Sequence, residues 1–321
     1  MERPKRVALS LGAGGARGYA HIGAIQVLEE RGFEVVGIAG ASMGALVGGL
    51  HAAGRLADYT DWVLTLTQLK VVRMLDVSRS SIGAFRAEKV LAPVSDLVDG
   101  VPIESLPIPY TAVATDLFAR KPVWFQRGPL DVAIRASLAI PGVFSPVVVD
   151  GRVLVDGGLM DPVPVAPIAS VPADLTVAVS LTGERGPRDT PGVPAEDGLM
   201  DEWTERIRRG ASTLLDNELL RSVTARLGRD DDSQTGAEPP EDPRYGALPP
   251  GLRGFDVMNL SFEAMQAVVA RYQLASYPPD VLVTVSKDAC RSVDFHRAAE
   301  MIELGRTLTA EALDNAEVAA P

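Results

Sequence analysis

Between residues 12 and 44 the chain places two glycine-punctuated turns, and the rest of the sequence is organised around them. The first is Gly12-Ala13-Gly14-Gly15-Ala16-Arg17-Gly18 and the second is Gly40-Ala41-Ser42-Met43-Gly44. Each follows an apolar run with strand character, Val7 to Leu11 and then Val35 to Ala39, and each precedes a helical pattern. In the first of these helices Ile22, Ile25 and Leu28 recur at helical spacing up to a C-capping Gly32. Strand, helix, strand and helix form a βαβ unit, which implies parallel strands covered by helices. Ligands of such sheets gather at the carboxyl ends of the strands, where both turns lie. A serine held between glycines at a strand-to-helix corner sits on a tight elbow, its hydroxyl lifted towards the positive end of the following helix. The first turn adds a row of backbone amides suited to a developing oxyanion.

The remainder of the chain extends this pattern. Helices are expected over residues 55 to 78, around Trp62, Leu64, Leu66 and Leu69, over 86 to 98, and over Leu130 to Leu138, ending before Pro141. Strands are expected at Tyr110 to Ala114, Val123 to Phe125, Leu175 to Leu181 and Val281 to Val285. The run from Val147 to Val155 alternates around Asp150-Gly151 and reads as a hairpin, with Asp156-Gly157-Gly158 directly after it. Phe262, Met265, Val269 and Tyr272 recur at helical spacing, and a last helix starts near Ser292. The expected fold class is α/β, a mostly parallel central sheet flanked by helices. Within a single domain of 321 residues, residues 183–254 read as a mobile insertion, and 255–321 as a helix-strand-helix that completes the domain. The stretch 228–254 holds five glycines, five prolines and six acidic residues, while Leu199 to Leu227 is helix-compatible and offers Trp203, Ile207, Leu214 and Leu215 as an apolar face for a lid.

Composition narrows the partners. A formal charge of −11 argues against a broad electrostatic footprint for nucleic acid or anionic lipid, though not against a local basic patch. Cys290 is the sole cysteine, so no intramolecular disulfide and no thiolate metal cluster is expected, and a reducing compartment fits. The N-terminus enters a short apolar strand without a signal-type core, and Val35 to Leu50, uncharged but carrying five glycines, is too short for a membrane span. A cytoplasmic protein that visits lipid surfaces transiently is the expectation; oligomeric state is not legible.

Ser42 is the candidate nucleophile, read against the plain alternative of a helix N-cap. Serine hydrolases usually supply a histidine base, and this chain has only His21, His51 and His296. His21 and His51 fall on helices just past the two glycine turns, and His296 opens the last helix; none is placed convincingly. Asp156, ending a hairpin strand before two glycines, presents a carboxylate on a turn with clearance beside it, against the alternative of an aspartate bonding its own backbone.

Gly12-x-Gly14-Gly15-x-Arg17-Gly18, Gly40-x-Ser42-x-Gly44 and Asp156-Gly157-Gly158 together resemble the patatin-like phospholipase family of serine esterases. The block Ala136 to Pro146 is similar to a further motif of that family, and Phe255 to about Gly305 resembles its compact bacterial members. The resemblance implies a three-layer α/β/α fold and a Ser42–Asp156 dyad without histidine. It also implies an oxyanion hole made by the amides of Gly14 and Gly15, fatty-acyl ester substrates, and neither metal nor cofactor. Arg17 reads as a brace of the loop. Ala13 stands where the family often has a third glycine, which is tolerable if its φ is negative.

Other readings stay open on the sequence. A dinucleotide loop would need glycine at its sixth position, where Arg17 stands. Ser42, Asp156 and His296 occur in the chain order of an α/β-hydrolase triad, yet only two strands precede Ser42. An acyltransferase or a non-catalytic regulatory protein would also fit.

Overall fold

The computed structural model describes residues 3–74, 76–77, 83–86, 88–184 and 254–318. The chain falls into two units, residues 1–187 with 259–321 and residues 188–258, and the central sheet lies in the first. β1 (Arg6–Leu11) is buried at every position but Arg6, and leads through the glycine turn and a 3-10 turn (Gly15–Tyr19) into α1 (Ala20–Glu30). β2 (Glu34–Ala41) and α2 (Met43–Ala52) follow. A largely apolar strand of this kind is buried on both faces, as parallel strands are.

Residues 55 to 78, expected as one helix, are instead α3 (Leu56–Leu64) and α4 (Gln68–Met74), followed by a short strand β3 (Asp76–Val77). Two threonines cause the break. Thr65 Oγ1 donates back to Trp62 O at 2.8 Å and closes α3, while Thr67 Oγ1 accepts the Lys70 amide at 3.3 Å and opens α4 as an N-cap. β4 (Gly83–Arg86) and α5 (Glu88–Val98) come next, then β5 (Tyr110–Asp116), β6 (Lys121–Phe125) and α6 (Leu130–Ser137). β7 (Gly142–Phe144), unforeseen in the sequence, joins β3 and β4 in a small second sheet. The expected hairpin is β8 (Val147–Val149) and β9 (Arg152–Asp156), turned by Asp150 and Gly151 at φ 49° and 72°. After β10 (Leu175–Gly183) come α7 (Gly254–Ser276), β11 (Val281–Ser286) and α8 (Ala298–Asn315). The helix expected from Ser292 thus starts later, because the segment before it is held by the first glycine turn. Of the mobile insertion expected at 183–254, Gly183 instead closes β10 as a buried strand residue and Gly254 opens α7; beyond Glu184 the rest, including the readings of 199–227 as a helix and lid and of 228–253 as mobile, lies outside the described residues.

The large sheet runs β11-β10-β1-β2-β5 with all neighbours parallel, then β5-β9-β8 antiparallel, with β6 paired to β5. Helices cover both faces. On one, Leu11 and Ile38 pack beneath Gly48 of α2. On the other, small residues Ala8, Ala39 and Ala178 lie under Val163, Val165, Ile168 and Ala270 of α7.

The register around β5 matters most. β2 pairs with β5 up to Ala41↔Val113, and β9 pairs with β5 from Ala114↔Asp156. Both lie opposite β6, since Ala112 and Ala114 pair with Phe125 and Val123 on the other side. β2 and β9 therefore approach end to end along one edge of β5, from opposite directions. Their carboxyl ends meet between Val113 and Ala114.

Candidate active site

That meeting point brings Ser42, the residue after β2, to Asp156, the last of β9. Ser42 has φ 54° and ψ −123°, a conformation that side chains other than glycine rarely hold, and its amide donates to Ser137 Oγ at 2.8 Å. Ser137 Oγ in turn donates to Val113 O at 2.6 Å, tying the elbow to the neighbouring strand. Gly40 and Gly44 make the elbow possible. A Cβ on Gly40 would meet the Gly44 backbone at 2.3 Å, and one on Gly44 would meet Leu11 O at 2.0 Å.

Asp156 is fixed through its backbone: its amide donates to Ala139 O at 2.9 Å, and its carbonyl accepts Thr115 Oγ1 at 3.0 Å. Its Oδ1 accepts the Gly158 amide at 2.7 Å. Oδ2 is buried with no partner in good hydrogen-bond geometry, yet the Ser42 hydroxyl is close enough to count among the groups that stabilise the carboxylate. Burial pushes the Asp156 carboxyl up to about 7, with Ser42 and the Gly158 amide pulling the other way. The block from Ala136 to Pro146 thus holds both partners, Ser137 gripping the serine and Ala139 the aspartate.

In the first turn, the amides of Gly12, Ala13 and Ala16 donate to Val179 O, Pro162 O and Ser292 O, each at 2.9 Å. Those of Gly14 and Gly15 have no acceptor among the described residues. Ala13 is absent from the positive-φ residues, and its Cβ fills the space beside Gly158. Gly14 is pressed against Leu181, Gly18 against Met43, and Gly157 against Val113 O, while Gly15 turns at φ 58° beneath Ser292. Arg17 is buried and donates to the carbonyls of Lys287 and Cys290 and to Ser292 Oγ, so it braces the turn against the segment after β11.

The histidines are elsewhere. His21 Nε2 lies 2.8 Å from Gly12 O, and burial lowers its pKa to about 4, so it is a neutral ring donating to the loop. His51 Nε2 is 3.9 Å from Glu29, nine residues along α2 from Ser42, or about 13 Å of helical rise. His296 lies in a 3-10 turn before α8. Among the described residues no histidine bonds to Ser42 or Asp156, which leaves the α/β-hydrolase triad without its base. Cys290 is buried and its thiol is pushed up to about 11, so it is not a thiolate at neutral pH.

Sequence reading missed a clamp from α7. Gln266 Nε2 donates to Gly158 O at 2.9 Å and Gln273 Nε2 to Met160 O at 3.1 Å. The spacing of seven, which returns to the same helix face, was the available signal. By contrast Met265 and Tyr272, part of the apolar repeat, are exposed. Asp161, also buried beside this clamp, has its carboxyl pushed up to about 7 by desolvation.

An α/β fold with a strained serine elbow facing a buried aspartate defines a class of serine-elbow proteins. A model of the patatin-like phospholipase family matches residues 9–169, half of the chain, and the chain belongs to that family. Uncharacterised NTE family proteins of Mycobacterium bovis and Mycobacterium tuberculosis are 53% identical over 98% of this chain and 92% of theirs. Patatin-like phospholipase domain-containing protein 6 of Homo sapiens is 31% identical over 54% of this chain and 13% of its own length. Lysophospholipase NTE1 of Cryptococcus neoformans is 29% identical over 58% of this chain and 12% of its own. VipD of Legionella pneumophila superposes over 98% of this chain and 67% of that one with a TM-score of 0.43 and 15% identity, too loosely to place residues.

Proposed function

We propose that the protein hydrolyses fatty-acyl esters of phospholipids or lysophospholipids, with Ser42 as nucleophile and Asp156 as its base. The observation that carries this reading is the end-to-end meeting of β2 and β9, which sets the Ser42 hydroxyl against a buried, weakly acidic carboxylate. Family membership supports lipid-ester hydrolysis in general, and the name of the Cryptococcus relative favours lysophospholipid among the esters.

Asp156 takes the Ser42 proton as the oxygen attacks the ester carbonyl. The amides of Gly14 and Gly15, which have no acceptor among the described residues, stabilise the tetrahedral oxyanion. Asp156 returns the proton to the departing alcohol; it then takes one from water as the water attacks the acyl-enzyme, and hands it to Ser42 Oγ as the fatty acid leaves, which restores the free hydroxyl and the carboxylate. An aspartate near its ordinary pKa would be a poor base, and burial improves it.

A fluorophosphonate probe should label the folded protein at Ser42 alone. Ser42→Ala should lose the label and cut hydrolysis of a lysophospholipid and of a short soluble ester by about 10³-fold or more. Labelling elsewhere, or an active alanine variant, would sink the assignment. The base must be ionised, so kcat/KM should rise with pH, about tenfold per unit below about 7, and level off above it. A flat profile between pH 5 and 8 would remove Asp156 from that role.

A further inference from the structure

We infer that the tip of the β5–β6 hairpin, together with the adjoining β8–β9 turn, is a docking surface for an anionic lipid membrane. β5 runs parallel to β2 and continues past its end, so the turn at 117–120 stands at the carboxyl end of the sheet, on the order of 10 Å beyond the Ser42–Asp156 junction. β9 returns from that same end, and Leu117 N donates to Val153 O, which sets the two hairpins side by side.

The tip is apolar where it projects. Phe118 is 78% exposed, Val148 70% and Leu117 44%. Around them stand exposed Arg120, Lys121 and Arg152, none in an ion pair among the described residues. Two carboxylates are near. Asp150 is exposed in the β8–β9 turn, whereas Asp116 is buried and turned inward, its Oδ1 accepting the amides of Phe118 at 3.1 Å and Ala119 at 2.9 Å. In a chain of formal charge −11, this is a local excess of positive charge around an aromatic apex. An aromatic and a leucine at acyl depth with cations at headgroup level is the arrangement that an anionic bilayer surface holds. Asp116 gives the apex a fixed shape, so little ordering is lost on insertion.

The inference rests on the lipid-ester reading of the site, since it explains why the apex projects beside Ser42. Its test is independent of turnover. The full chain carrying Ser42→Ala should cosediment with vesicles of phosphatidylcholine and phosphatidylglycerol, much less with phosphatidylcholine alone, and less again at high salt. Adding Leu117→Ser with Phe118→Ser, or Arg120→Gln with Lys121→Gln, should weaken the anionic binding by about tenfold or more. In the Ser42-containing protein the same pairs should leave turnover of a short soluble ester within about twofold, which also reports that they fold. Equal binding by variants and parent, equal binding to both vesicles, or no vesicle binding at all would overturn the inference; the last outcome would leave a protein partner as the occupant. If the wild type cleaves no ester but binds anionic vesicles through this tip, the functional reading fails and the surface stands.

Discussion

Asp156→Asn is expected to yield a protein that no longer cleaves ester yet unfolds at higher denaturant than the wild type at pH 8. Asparagine keeps the oxygen that accepts the Gly158 amide and removes the charge that burial opposes. The sign follows from linkage. A carboxyl near 4 in the unfolded chain and raised to about 7 in the folded one makes the fold bind a proton more tightly, so stability is fullest below the unfolded value and is lost as pH rises through about 7. At pH 8 the ionised aspartate costs as much as about 4 kcal/mol, and relieving it should raise stability by an amount of that order. Near pH 4 the two proteins should unfold almost together. Asp161 has the same sign and is untouched, so the variant should retain part of the wild type's loss of stability with pH. Urea titrations at pH 4, 6 and 8 beside an ester assay measure both halves. A variant less stable than the wild type at pH 8 would mean that the buried carboxylate is compensated by its surroundings and is not held at a cost. Hydrolysis should fall by about 10³-fold, since asparagine cannot accept the serine proton.

This trade of stability for reactivity explains why parts of the site were legible in the sequence and others were not. The glycine turns were legible because their requirement is local: Ser42 needs a strained elbow between a strand and a helix, and that pattern fits in five residues. The Asp150-Gly151 turn was legible for the same reason. The meeting of Ser42 with Asp156 was not derivable from spacing, because it depends on β5 pairing with β2 over one half and with β9 over the other. Only the resemblance to a family joined the two residues in advance. Ser137 and Ala139 act through one hydroxyl and one carbonyl that no motif chemistry singles out. Gln266 and Gln273 sit on a helix whose apolar repeat drew attention to its hydrophobic members, of which Met265 and Tyr272 are exposed and Phe262 and Val269 half-buried. The break between α3 and α4 was hidden because two threonine caps interrupt an otherwise continuous run of helix-compatible residues.

The elbow also predicts a contrast between two substitutions on α2. Gly44→Ala and Gly49→Ala place the same methyl on the same helix, and each gains up to about 1 kcal/mol of helix propensity. Only the neighbours differ. At Gly49 the new Cβ would lie 3.1 to 3.2 Å from Leu130 Cδ1, Ile134 Cδ1 and the Tyr110 ring, of which the two methyl tips can give by a few tenths of an ångström. At Gly44 it would lie 2.0 Å from the carbonyl oxygen of Leu11 and 2.8 Å from that of Gly12, both in the backbone that carries the first glycine turn. Relieving that overlap means moving α2 off the end of β1, which separates the elbow from the first glycine turn and opens the packing beneath it. Gly49→Ala should therefore stay within about 1 kcal/mol of the wild type, whereas Gly44→Ala should lose about 3 kcal/mol or more, or fail to fold. Urea midpoints of the two variants decide it, and a Gly44→Ala protein as stable as its Gly49→Ala sibling would mean that α2 is not seated against the end of β1.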